Sequence, residues 1–92
     1  MITITDVPSR SRYEATVDGE VVGFVTYRER DDELLLTHAE IDPTRRGQGL
    51  GEQVVRATLE EVSATHTRVI PVCGFVRSVM LREPEYRSLM AG

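Results

Sequence analysis

The run Arg45-Arg46-Gly47-Gln48-Gly49-Leu50-Gly51 stands between an apolar, strand-like stretch and an amphipathic, helix-like one, and it constrains the backbone more than any other segment. Three glycines at alternate positions allow a tight turn and let bare N–H groups come close to a ligand. A helix opening near Gly49 would aim the positive end of its dipole at the same place. No Ser, Thr, Asp or Asn stands at residues 47 to 49 to cap that helix, so its first N–H groups lack an obvious side-chain partner. A bound pyrophosphate would be such a partner. Two commoner phosphate loops are excluded. The Walker loop requires Gly-Lys-Ser/Thr and the chain contains no lysine, while a dinucleotide fingerprint starting at Gly47 requires glycine where Glu52 stands.

The loop does fit the pattern Gln/Arg-x-x-Gly-x-Gly/Ala through Arg46, Gly49 and Gly51, and in this it resembles the acyl-CoA loop of the Gcn5-related N-acetyltransferases. Its setting extends the match: a strand, Asp42-Pro43, two arginines, the glycines, a helix, then a strand ending in Pro71-Val72-Cys73. That order resembles the small, single-domain Gcn5-like subgroup, whose members carry His and Glu in the strand before the loop and a cysteine after the next strand. The resemblance covers roughly residues 13 to 90. The chain departs from the subgroup's Cys-Pro-Phe by reading Cys73-Gly74-Phe75, where Gly74 still permits a sharp turn. The plainer alternative is a glycine-rich turn with no ligand.

Period-two alternation marks strands at residues 2 to 5 and 13 to 17, separated by the loop Pro8-Ser9-Arg10-Ser11. Asp18-Gly19 signals a tight hairpin into the strand-forming run Val21 to Tyr27, and the charged cluster Glu29-Arg30-Asp31-Asp32 predicts a second turn. In residues 33 to 41, alternation places Leu34, Leu36, His38 and Glu40 on one face and Leu35, Thr37, Ala39 and Ile41 on the other, as in a central strand that Pro43 ends. From Gly49 to about Thr65, a stripe of Leu50, Val54, Val55, Ala57, Leu59 and Val62 predicts a helix packed on the sheet. Arg68 to Cys73 is the next strand, parallel to 33–41 by the crossover rule. Phe75, Val76, Val79 and Met80 mark a short helix, and Pro84 opens a last one with Tyr86, Leu89 and Met90 on its apolar side. The fold class is α/β (α+β): an antiparallel meander, a strand-helix-strand unit and short C-terminal helices around a mixed sheet.

With 92 residues the chain makes one domain, expected to span 1–92. Fifteen acidic residues against eleven basic ones argue against a nucleic-acid partner bound through bulk positive charge. All eleven basic residues are arginine, which leaves the N-terminus as the only amine for self-acetylation. One cysteine makes no internal disulfide, the N-terminus lacks signal-peptide features, and no apolar run approaches the roughly 20 residues that cross a bilayer. A cytosolic protein with no membrane partner is expected.

The resemblance implies more. Its family splays the two parallel strands and admits the pantetheine arm of acetyl-CoA between them, so Ala39 and Ile41 would offer backbone groups while Arg45, Arg46, Gly47, Gln48, Gly49, Leu50 and Gly51 hold the pyrophosphate. No metal is implied. Unpaired backbone inside a domain needs such a partner. Acetyl transfer to an amine also needs a base, since a free lysine side chain is neutral only on the order of once in a few thousand at pH 7. His38 and Glu40 are the candidates. The alternatives are a core histidine and a rim carboxylate paired with Arg45 or Arg46. Cys73 is a further catalytic candidate if a helix N-terminus activates it, and otherwise packs as a small apolar residue. Tyr86 is either an acid for the departing thiolate or part of the core. The chain lacks room for the two helices that usually follow the family's first strand, which leaves the acceptor side open and suits a protein or polyamine amine. Acetyl would pass directly from acetyl-CoA, without an acetyl-cysteine. The rival readings are a CoA-binding module without catalysis and a structural domain.

Overall fold

Asp18 and Gly19 close the first hairpin with φ of 51° and 82°, the left-handed pair whose twist matches that of the flanking strands. The computed structural model describes residues 1–45, 47–66 and 68–90. Strands β1 (Thr3–Val7), β2 (Arg12–Val17), β3 (Glu20–Arg30) and β4 (Glu33–Ile41) pair antiparallel in chain order. Pro8–Arg10 forms a single 3₁₀ turn between the first two, with Ser11 left-handed behind it. The second hairpin is tighter than its charge cluster suggests. Glu29 and Arg30 belong to β3, and Arg30 faces Glu33 across the ladder with its guanidinium 3.2 Å from the carboxylate, leaving Asp31-Asp32 as the turn.

Helix α1 (Leu50–Ser63) carries the chain over to β5 (Val69–Pro71), which lies parallel to β4 at the end of the five-stranded sheet. The buried stripe of α1 is Leu50, Val54, Val55, Thr58, Leu59 and Val62. Thr58 takes a place expected for Ala57, and its hydroxyl donates to the Val54 carbonyl at 2.8 Å, so burial leaves no unmet polar group. Helix α2 (Gly74–Arg82) adds Val76, Val79 and Met80 to the same core, which also holds Tyr13, Ala15, Val25, Leu34 and Leu36 from the sheet. Both helices pack on this one face. The opposite face, with Glu14, Phe24, Thr26 and Leu35 only half-buried, carries neither.

The last helix, α3 (Pro84–Arg87), is one turn long and buries Tyr86. Leu89 and Met90 were expected to extend it, but Met90 instead bridges Val69 in parallel, and the Val69 N–H donates to the Leu89 carbonyl at 2.7 Å.

Strict alternation fails in β4. Thr26 pairs with His38 while Tyr27 pairs with Leu36, so Thr37 is an extra residue, a bulge that reverses which face each later side chain takes. Leu34 and Leu36 are in the core, Ala39 and Ile41 pack against it, and His38 and Glu40 emerge on the helix-free face. The expected grouping of His38 and Glu40 with Leu34 and Leu36 is corrected by this one residue.

Candidate acyl-CoA and acceptor site

Beyond the bulge β4 loses its parallel partner. The last β4–β5 pair is Leu36 with Pro71, and the N–H groups of Val72 and Cys73 both reach the Leu36 carbonyl at 3.0 and 3.1 Å. The chain then turns into α2 at Gly74. Among the described residues Thr37 to Ile41 therefore run on with no strand beside them on that side, an open backbone edge inside the domain.

The glycine loop meets this edge. Asp42 organises the way in: its carboxylate accepts from the Thr44 N–H at 3.0 Å and from the Thr44 hydroxyl at 2.9 Å, while the Arg45 N–H donates to its carbonyl at 2.9 Å. The Thr44 N–H first, and then its hydroxyl, hold the Asp42 carboxyl below its usual range. Gly47 and Gly49 are left-handed, with φ of 86° and 68°, and Gly49 stands as the N-cap of α1 without a side-chain capping bond. A β-carbon on either would meet no atom within 4 Å, so the space beside the loop at these two positions is open. At Gly51 the situation differs. A β-carbon there would sit 3.3 Å from the Phe75 ring and 3.6 Å from Ile41, so this glycine lets α2 and the end of β4 close in.

The result is a cavity of about 600 Å³ between the open edge of β4 and the head of α1. Ala39 and Ile41 line it from the strand, and Gly47, Gly49, Leu50 and Gly51 from the loop. Arg45, His38 and Glu40 stand on its wall as well. Gln48 is exposed and outside the lining, and Arg46 lies outside the described residues.

Glu52, Phe75 and Arg82 complete the wall and were missed in the sequence. Phe75 stood in an apolar stripe that suggested burial, yet it is 45% exposed. Arg82 comes from the far end of α2 to meet Glu52 at 2.7 Å, and no spacing in the sequence signals that pair.

His38 and Glu40, two residues apart beyond the bulge, bring imidazole Nε2 and carboxylate Oε1 to 3.9 Å, with side chains 59% and 56% exposed. Arg45 is engaged elsewhere, 3.1 Å from Glu20, and so is not the rim partner of Glu40. Cys73 is the N-cap of α2, half-buried against the core and absent from the cavity wall. Tyr86 is core: its hydroxyl donates to Glu60 at 2.9 Å, and burial, reinforced by that bond, pushes its phenol up to about 12. Among the described residues no group of three or more His, Cys, Asp or Glu is placed to hold a metal ion.

A smaller cavity of about 270 Å³ adjoins the first and shares Glu40 and Ile41 with it. Its remaining wall comes from β2, β3 and the Asp42-Pro43 corner.

Comparison with known proteins gives the family and the fold. A GCN5-related N-acetyl-transferase family model matches residues 12–89. The structure is similar to a GCN5-like putative N-acetyltransferase from Staphylococcus aureus solved by NMR, with TM-score 0.68 and 21% identity over 98% of this chain and 88% of that one. It is also similar to a ribosomal-protein-alanine N-acetyltransferase from Brucella melitensis biovar Abortus, with TM-score 0.56 and 17% identity over 88% of this chain and 61% of that one. A third neighbour is the GNAT family N-acetyltransferase YhbS of Escherichia coli in complex with CoA, with TM-score 0.51 and 27% identity over 63% of this chain and 37% of that one. No curated protein matches the sequence. The fold, here a five-stranded mixed sheet, is similar to that of these neighbours, and with a family match running from Arg12 to Leu89 the chain belongs to the GCN5-related N-acetyltransferase family.

Proposed function

We propose that the protein binds acetyl-CoA and transfers its acetyl group to a primary amine. The observation that carries this reading is the meeting in one cavity of two sets of backbone groups that have no partner among the described residues: the open edge of β4 past Leu36, and the head of α1 at Gly49, which no side chain caps. Diphosphate oxygens suit the N–H groups of the helix head, and the amides of a pantetheine arm suit a strand edge. The E. coli neighbour solved with CoA supports the same ligand.

In this proposal Gly47 to Gly51 hold the diphosphate with Arg45 beside them, and Ala39 to Ile41 align the arm. Acetyl-CoA supplies an acyl group already activated as a thioester. The protein's task is to deliver a neutral amine. Glu40, with His38 next to it, takes one proton from the incoming ammonium and passes it to water. A second proton leaves the nitrogen as the N–C bond forms, and it balances the thiolate released when the C–S bond breaks. Cys73 has no step, because an acetyl-cysteine would only exchange one thioester for another and the thiol is off the cavity wall. The proposed compartment is the cytosol, in keeping with a single cysteine. No helix among the described residues is long and apolar enough to cross a membrane.

Thermal shift with CoA, acetyl-CoA, ATP and NAD side by side tests the ligand. A ligand at 100 times its dissociation constant adds about 2.7 kcal/mol of stability. CoA and acetyl-CoA should raise the melting temperature while ATP and NAD leave it unchanged. Greater stabilisation by ATP or NAD would refute the reading.

A further inference from the structure

Resting on the acyltransferase reading, we propose that the smaller cavity beside Glu40 is the acceptor subsite, and that it selects a single primary amine on an apolar stem over a polyamine. Its position is the first argument. It opens on the helix-free face, and Glu40 belongs to both cavity walls, so a nitrogen held at Glu40 sits where the acceptor and acyl sides meet.

Size is the second. About 270 Å³ is below the roughly 300–1,000 Å³ of pockets that enclose a drug-sized ligand, so the cavity takes one side chain or one small amine.

Its lining decides the chemistry. Glu40 and Asp42 supply carboxylates at one side, and Asp42 is held ionised by Thr44. Phe24, the cross-strand partner of Glu40, makes an aromatic floor beside Val21 and Pro43. That floor suits a hydrocarbon stem running back from an ammonium at Glu40. Arg12 sits over the Phe24 ring, its guanidinium 4.3 Å from the ring centre, and belongs to the same cavity wall. It is pinned there by Glu14, 2.7 Å away and not part of the cavity wall. A second ammonium further along the stem would face this fixed cation. A neutral end would not.

The test measures acetyl transfer to three amines: Nα-acetyl-lysine amide (one amine on a four-carbon stem), spermidine (three amines) and glycinamide (no stem). The lysine derivative should give the highest kcat/KM. Phe24→Ala should raise the KM for it about tenfold, the scale on which a pocket reads one or two methylenes, while kcat and the affinity for acetyl-CoA hold. Phe24→Leu should restore most of the loss. Arg12→Gln should improve spermidine relative to the lysine derivative. Val21→Lys, at an exposed position of the same wall, should weaken all three amines without unfolding the protein. If the protein binds acetyl-CoA but prefers spermidine, transfers to none of the three, or keeps its amine KM in both the Phe24→Ala and Val21→Lys variants, the subsite assignment fails alone. If acetyl-CoA does not bind at all, the acyltransferase reading fails and takes this inference with it.

Discussion

Gly23→Ala is a one-carbon change whose cost can be read from the sheet. Gly23 pairs with Ala15 on one side and Ile41 on the other, and a β-carbon there would lie 2.7 Å from both the Glu40 carbonyl oxygen and Ile41 Cδ1. The Ile41 methyl can rotate away. The carbonyl cannot, because it is backbone of β4, and relief to the 3.4 Å of ordinary contact asks for a shift of about 0.7 Å. Overpacking of this kind typically costs about 1–3 kcal/mol. The backbone of Gly23 is not in the left-handed region, so alanine adds no dihedral strain. In a small domain each kcal/mol moves the melting temperature by about 4–8 °C, so a fall on the order of 10 °C is expected by circular dichroism, with a lower urea midpoint. The displaced residues are Glu40 and Ile41, so the amine KM should rise more than the stability loss alone explains. Removing a strand glycine in open space would do the opposite, stabilising by about 0.4–1 kcal/mol through the unfolded chain. A Gly23→Ala protein as stable as the parent would therefore refute the close approach of β3 and β4 described above.

Gly49→Val should remain folded, since its β-carbon meets nothing within 4 Å and the left-handed backbone costs about 1–2 kcal/mol, yet lose the thermal shift with CoA. Unchanged CoA affinity in the folded variant would show the loop to be only a turn. Cys73→Ala should keep measurable turnover, and the parent incubated with acetyl-CoA alone should show no acetyl adduct on Cys73 by intact mass. Glu40→Gln should lower kcat by about 10²- to 10⁴-fold, the usual contribution of a general base, with CoA binding retained by calorimetry. The tyrosines give a pH test. Burial raises the phenols of Tyr13 and Tyr86 from 10.0 to about 12, and burial with a 2.6 Å hydrogen bond to Asp6 raises Tyr27 further. Their folded values exceed the unfolded one, so the stability they lend is complete below pH 10 and drains away as pH rises toward about 12. Phenolate absorbance at pH 10 in the folded protein, equal to that of the protein in urea, would contradict this.

The parts of the site that glycine chemistry governs were legible in the sequence. Gly47 and Gly49 require left-handed backbone, and the absence of a capping residue before Leu50 is visible without any structure. The crossover to a parallel strand followed from handedness alone. Side-chain direction in β4 was not legible, because alternation cannot reveal that Thr37 is the unpaired residue. Its hydroxyl, 2.7 Å from that of Thr26, marks the bulge only once the strands are in register. Leu89 and Met90 recur at helical spacing after Tyr86, but pairing with Val69 outweighs a second turn of α3. The Arg82–Glu52 pair and the seat of Arg12 over Phe24 are tertiary events between distant segments, and a single sequence holds no signal for them.

The short return of the chain to β5 bears on how copies of this molecule can associate. Of the groups on the outer edge of β5, the Val69 N–H is taken by Leu89 and Pro71 has no N–H to offer. Among the described residues an incoming strand finds no donor there. β1 at the other end of the sheet pairs with β2 alone among the described strands. Growth of a continuous sheet from one molecule to the next requires that both outer strands accept a neighbour, and among the described residues β5 offers no donor for one. Strand-to-strand association through β1 would thus stop at a pair, because each copy then presents only its β5 end to a third.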